Sequence, residues 1–172
     1  MPILDKLGKR IILILALIIF TLDQTTKAWV LRNLAENEQW APIPALSRYF
    51  TITHVTNTGA AFGLFRDQSL LFVIIAIVVI IAILVYSRYL SHGQFWVQFS
   101  LGLQLGGAAG NLVDRVRLGR VTDFITIGID DKTWPTFNIA DSAIVIGVAI
   151  LALIVFTEKE EPREDVTDAQ GA

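Results

Sequence analysis

LLFVIIAIVVIIAILVY, Leu70 to Tyr86, is the stretch that decides the fold. No charged side chain interrupts it, and a helix needs about 20 apolar residues to cross the hydrocarbon of a bilayer. The run is a little short, but modest thinning or interfacial anchoring lets such a segment span. Three blocks of the same kind surround it: about Ile11–Leu31, beginning IILILALIIFTLDQ; about Phe95–Val113, FWVQFSLGLQLGGAAGNLV; and about Ile139–Phe156, IADSAIVIGVAILALIVF. Composition agrees. Of 172 residues, 53% are hydrophobic and 17% charged, where soluble domains carry about a quarter charged. The expected fold is a mainly α membrane protein of four transmembrane helices in one domain, about 1–156.

The first block admits another reading. Lys6, Lys9 and Arg10 before an apolar run also describe a secretory signal peptide. No small-x-small cleavage site follows it; the chain goes on to Asp23, Gln24 and Lys27, so a retained helix is expected. Four spans put both termini on one side, and the basic N-terminus argues that this side is cytoplasmic. The charge bias is mixed. The presumed outer segments carry Lys27, Arg32, Arg48, Arg66, Arg115, Arg117, Arg120 and Lys132.

The outer segment between spans one and two, about 32–68, reads as a small β-containing extracytoplasmic insertion. Trp40, Pro42 and Pro44 precede Tyr49–Val55, YFTITHV, whose β-branched and aromatic residues read as a strand. Asn57-Thr58-Gly59 reads as a turn. Val121–Ile129, VTDFITIGI, is a second strand-like stretch between spans three and four. A sheet lying on the membrane surface follows. The end of the chain, TEKEEPREDVTDAQGA from 157 to 172, is acidic and has no hydrophobic face, so a disordered cytoplasmic tail is expected.

Several chemistries are excluded. A net charge of −2 does not point to nucleic acid. Without cysteine there is no disulfide, thiolate metal site or cysteine nucleophile. His54 and His92 are far apart and form no HExxH, which argues against a zinc protease. No GxSxG, P-loop or dinucleotide fingerprint occurs, and no serine stands convincingly beside Lys27.

Asp123 and Asp141 are the residues of most chemical interest. Asp123 interrupts the apolar VTDFI, and Asp141 opens span four in FNIADS. A carboxylate at membrane depth is costly and reads as functional. Two that approach closely share a proton. One then acts as base on water while the other, protonated, polarises a carbonyl. The bland alternative is a first-turn acid and a loop acid. Asp23 and Lys27 share a helix face at i, i+4; they read equally well as a substrate contact or as an interfacial ion pair with Lys27 snorkelling outward. Arg115 could clamp a substrate, or pair with Asp114 or a lipid phosphate. Asn57, Asn111 and Asn138 lie at edges of apolar blocks, where amides hold extended peptides or simply cap helices and form turns. Gly102, Gly106 and Gly110 give overlapping GxxxG patterns for close helix packing, and Gly59-Ala60-Ala61 marks a close backbone approach.

Four segments, LDQTTK (Leu22–Lys27), NTGAAFGLF (Asn57–Phe65), GGAAGNLVDRVRLGRVTDFI (Gly106–Ile125) and FNIADS (Phe137–Ser142), resemble the lipoprotein signal peptidases, or signal peptidase II, in order and spacing from about residue 10 to 156. The resemblance implies a bacterial inner-membrane aspartic endopeptidase. Such enzymes cut prolipoproteins just before a cysteine that carries a diacylglyceryl group. It implies catalysis by Asp123 and Asp141, with Asp23, Lys27, Asn57, Asn111, Arg115 and Asn138 as supporting polar positions, and Gly59 and Ala140 beside them. It further implies no cofactor, sensitivity to globomycin-type inhibitors, contact with membrane lipid, a site near the outer face, and a monomer. Two other readings of the residues are a small transporter, which predicts internal repeats that spans one–two and three–four do not show, and a non-catalytic scaffold, which predicts that carboxylate-to-amide changes are harmless.

Overall fold

The computed structural model describes residues 2–59, 65, 67–90, 94–129 and 132–157. Among these are four helices: α1 (Pro2–Asn33), α2 (Ser69–Tyr86), α3 (Phe95–Leu118) and α4 (Ile139–Thr157). Four strands accompany them: β1 (Gln39–Trp40), β2 (Phe50–Asn57), β3 (Val121–Ile129) and β4 (Lys132–Thr133). Of the expected tail, Thr157 ends α4, and 158–172 lie outside the described residues, as do His92, Arg66, Ala60 and Ala61.

Among the described residues, three helices are long and apolar enough to cross a membrane: α1 from Arg10, α2 and α4. Many of their apolar side chains point outward, with Leu17, Leu70, Val145 and Leu153 all at least 64% exposed. The fourth helix, α3, is of a different kind. It packs against α1, α2 and α4, so its polar and small residues face protein. Gln98, Ser100, Gly106, Gly107, Asn111 and Asp114 are all buried. A helix walled in by three others does not need an apolar surface, which is why α3 falls short on composition alone.

Glycine makes this packing close. A Cβ on Gly106 would stand 2.7 Å from the Ala16 carbonyl of α1, and one on Gly107 would strike the Ala140 carbonyl of α4. The GxxxG stripe faces α1, and the next glycine along faces α4. Without side chains in the way, the backbones approach closely. α3 also runs five residues beyond the expected Val113, where Asp114 and Arg115 are paired within the protein. It ends at Gly119, whose φ of 72° is the left-handed conformation that closes helices.

The sheet draws on both outer segments, in the order β1-β2-β3-β4 with antiparallel neighbours. It is therefore not confined to the stretch between α1 and α2. On β3, Phe124 packs with Val30 of α1 and with Leu34 just beyond its end, while the alternate residues Val121, Asp123 and Ile127 line a cavity. This is the two-residue period of a strand dividing core from cavity. β2 carries a bulge. Ile52 pairs with Ile125 and Val55 with Asp123, so Thr53 and His54 together oppose Phe124. The extra residue reverses the parity of β2 beyond it. Asn57 then pairs with Val121 and faces the same side as Asp123. His54 Nδ1 meets the Leu34 carbonyl at 3.0 Å, and Trp40 lies 5.1 Å from Trp29, which ties the sheet to the end of α1.

Candidate active site

Asn138 precedes α4 and caps it. Its Oδ1 accepts the Asp141 backbone N–H at 2.8 Å, and the Asp141 carboxyl accepts the Asn138 N–H at 3.3 Å. This reciprocal pair is a capping box, which satisfies two of the free donors at a helix start. The free end of the same asparagine does more. Its Nδ2 donates to Asp123 Oδ1 at 2.7 Å and to Asn111 Oδ1 at 3.2 Å. One amide therefore holds both candidate aspartates. The second oxygen of Asp123 accepts from Asn57 Nδ2 at 2.9 Å. The second oxygen of Asp141 accepts from Asn111 Nδ2 at 2.7 Å. Each of the four carboxyl oxygens thus has one N–H donor and a lone pair left over.

A second layer lies behind. Lys27 is 2% exposed. Its ammonium meets Asp23 at 2.9 Å, Asp114 at 3.0 Å and Asn111 Oδ1 at 2.9 Å, one oxygen for each of its three protons. The expected ion pair with Asp23 is present, but Lys27 does not snorkel outward, because three acceptors hold it inside. The two acids in turn hold backbone. Asp23 accepts the Ala140 N–H at 3.0 Å, and Asp114 accepts the Thr122 N–H at 3.1 Å. Thus α1 positions the start of α4, and α3 positions the start of β3. Gln24, which the sequence reading did not single out, donates to Asp114 at 3.0 Å. The alternative in which Asp114 partners Arg115 gives way to Asp114 with Lys27. Arg115 instead donates to the carbonyls of Gly59 and Asn111, at 3.3 and 3.4 Å, with its guanidinium 4.9 Å from the Phe72 ring centre.

Five of the ten candidates line a cavity of about 630 Å³: Asn57, Gly59, Arg115, Asp123 and Asp141. Asp23, Lys27, Asn111, Asn138 and Ala140 stand behind them. The other walls are mostly apolar, from Phe72 of α2, Val121 and Ile127 of β3, Trp134 to Phe137, and Ile144 to Ile146 of α4. Sequence reading missed this lining, since an apolar residue beside a site looks like any other in a lipid-facing run. Gln24 had a signal, its place inside LDQTTK.

Burial pushes the Asp123 carboxyl up to about 7, with the like charge of Asp141 adding to the effect. Two amide donors and the Lys27 charge oppose the rise. A carboxyl poised near neutrality beside a second carboxyl is suited to holding and giving a proton.

Comparison with known proteins identifies the family. The family described as signal peptidase (SPase) II matches residues 15–157. A lipoprotein signal peptidase of Moorella thermoacetica is 44% identical over 81% of this chain and 88% of its own. One from Pseudomonas aeruginosa is 41% identical over 93% of this chain and 96% of its own. Among solved structures, a bacterial membrane enzyme determined by the in meso method at 2.3 Å superposes with a TM-score of 0.77 at 31% identity. It covers 89% of this chain and 93% of that one. The chain therefore belongs to the signal peptidase II family and is an aspartic peptidase of membranes.

Proposed function

We propose that the enzyme cleaves the signal peptide from diacylglyceryl-modified prolipoproteins, on the N-terminal side of the lipidated cysteine, with Asp123 and Asp141 activating water between them. The observation that carries this reading is the single amide of Asn138 that binds both aspartates at the wall of one cavity. In the aspartic-peptidase scheme one carboxylate takes a proton from water as it attacks, and the other, protonated, donates to the carbonyl oxygen. The tetrahedral intermediate then collapses with proton transfer to the leaving nitrogen. Hydrolysis of this kind needs no metal or organic cofactor.

The apolar walls contributed by α2 and α4 suit a substrate whose signal helix and acyl chains lie in lipid. On this reading α3 spans the membrane together with the other three helices. Its 24 residues reach about 36 Å at 1.5 Å per residue. Both termini are then cytoplasmic, the sheet sits at the outer face of a bacterial inner membrane, and a monomer suffices for catalysis. Cleavage of purified, lipid-modified prolipoprotein tests the proposal. The enzyme should cut the modified precursor before its lipidated cysteine, and a globomycin-type peptide should block it. Equal cleavage of the unlipidated precursor would refute the assigned substrate.

A further inference from the structure

The two aspartates share an amide, yet their surroundings differ. Asp123 stands on a strand and accepts from two asparagine amides, Asn57 and Asn138. Asp141 stands in the first turn of α4, at the positive end of the helix dipole. It also accepts from Asn111 Nδ2. The other end of that amide touches the Lys27 ammonium. Lys27 has only protons to offer, so it must face the Asn111 oxygen, and the Asn111 NH₂ must face Asp141. Asn138 Nδ2, also a donor, enforces the same orientation. The amide cannot flip while Lys27 is charged and in place.

We infer that Lys27 is a positioning residue which acts through Asn111 to keep Asp141 the ionised, water-activating member of the pair, leaving the shared proton on Asp123. The inference rests on the dyad reading of the proposed function and gives each carboxyl a role. Asp141 takes a proton from the attacking water as the new C–O bond forms. Asp123 gives its proton to the carbonyl oxygen. When the C–N bond breaks, the proton held by Asp141 goes to the leaving nitrogen, and a hydroxyl proton of the intermediate returns to Asp123. The pair ends with the single proton it began with.

None of the other charged groups near the pair reverses this choice. Arg115 of α3 interacts with both, and with Asp141 more than with Asp123, so it adds to the same bias rather than opposing it. Asp23 of α1 faces Asp141 but is paired with Lys27, and Asp114 is paired with Lys27 as well. α2 carries no acidic or basic residue. The asymmetry is that of the Lys27–Asn111–Asp141 chain and the helix end, with Arg115 adding to it.

Two measurements test it. Infrared spectra of the purified enzyme at pH 6 report a protonated aspartate by its carboxylic C=O band. The band should persist in Asp141→Asn and vanish in Asp123→Asn; any other pattern overturns the proton assignment. For Lys27, the double variant Lys27→Met/Asp114→Asn removes the cation while keeping the net charge of its cluster. The kcat for lipid-modified precursor should drop about 10- to 100-fold, the range for losing an orienting partner behind a reacting group. KM should change little, and the acid limb of the kcat–pH profile should move to higher pH. Asn111→Leu, which leaves Lys27 paired with both acids, should reproduce the limb shift even if the double variant does not fold. Unchanged limbs in a folded variant overturn the positioning role. Failure of the dyad itself would show differently, as near-normal cleavage by Asp123→Asn or Asp141→Asn.

Discussion

Asp123 shows how one residue can hold a site at a cost to the fold. Its carboxyl is 2% exposed and pushed up to about 7, chiefly by burial. In the unfolded chain it titrates near the ordinary 3.8. Between these values the folded protein binds more protons than the unfolded one, so stability falls as pH rises through the window and levels off above it. Asp123→Asn cannot ionise and should lose this slope. Its thermal unfolding in detergent micelles should be flatter between pH 5 and 8. At pH 8 it should be more stable than wild type by about 2 kcal/mol, after allowance for one hydrogen bond that an amide cannot accept. A steeper slope in the variant would show that another group sets the pH response. The aspartates and their motifs were legible in the sequence. What was not legible is that a capping or turn-forming asparagine would also hold the carboxyl of Asp123. Asn138 caps α4 and also holds Asp123. Asn57 binds the Gly59 N–H in a turn and also holds Asp123. Local capping rules see only the first half of each role, because the second depends on contacts across 66 and 15 residues of sequence.

At the scale of elements, α3 is the frame on which the site is assembled. Gly107 allows the Ala140 backbone of α4 to touch it, and Asp141 follows one residue later. Gly107→Val should push α4 away from α3. A cost of about 1–3 kcal/mol is usual for overpacking, and cleavage should fall although no carboxylate has changed. Thermal unfolding and activity of the same preparation check this; loss of neither would mean that α4 is not held at this contact. Helix positions were readable from apolar runs, and α2 and α4 end within a residue of expectation. The last turn of α3 was not, since Asp114 and Arg115 look like an exit from lipid until Lys27 is seen to neutralise Asp114. The bulge in β2 was equally hidden. Nothing in FTITHVTN marks Thr53 and His54 as the extra pair, and yet that irregularity turns Asn57 toward Asp123.

Across the described residues many large apolar side chains lie outside, while a cluster of polar ones is buried beside the apolar cores. Asp23, Lys27, Asn111, Asp114, Asp123 and Asn138 are all under 10% exposed, and among the described residues no buried side-chain polar atom lacks a partner. The cavity meets this polar centre on one side and the apolar face of α4 on the other. Val145 lines it while remaining 66% exposed, at the open edge of the cavity. Val145→Trp should raise KM for lipid-modified precursor about tenfold, the effect of roughly 1.4 kcal/mol, and leave thermal stability unchanged. An unaltered KM would mean that the acyl chains enter elsewhere. The central claim, that Asp123 and Asp141 act as one unit, is tested most directly by kcat for the two single carboxylate-to-amide variants and the double variant. Each single change should cost about 10⁴-fold, and the double should cost no more than either, because a unit that has lost one member has little left to lose. Near-normal turnover by either single variant, or losses that multiply in the double, would contradict it.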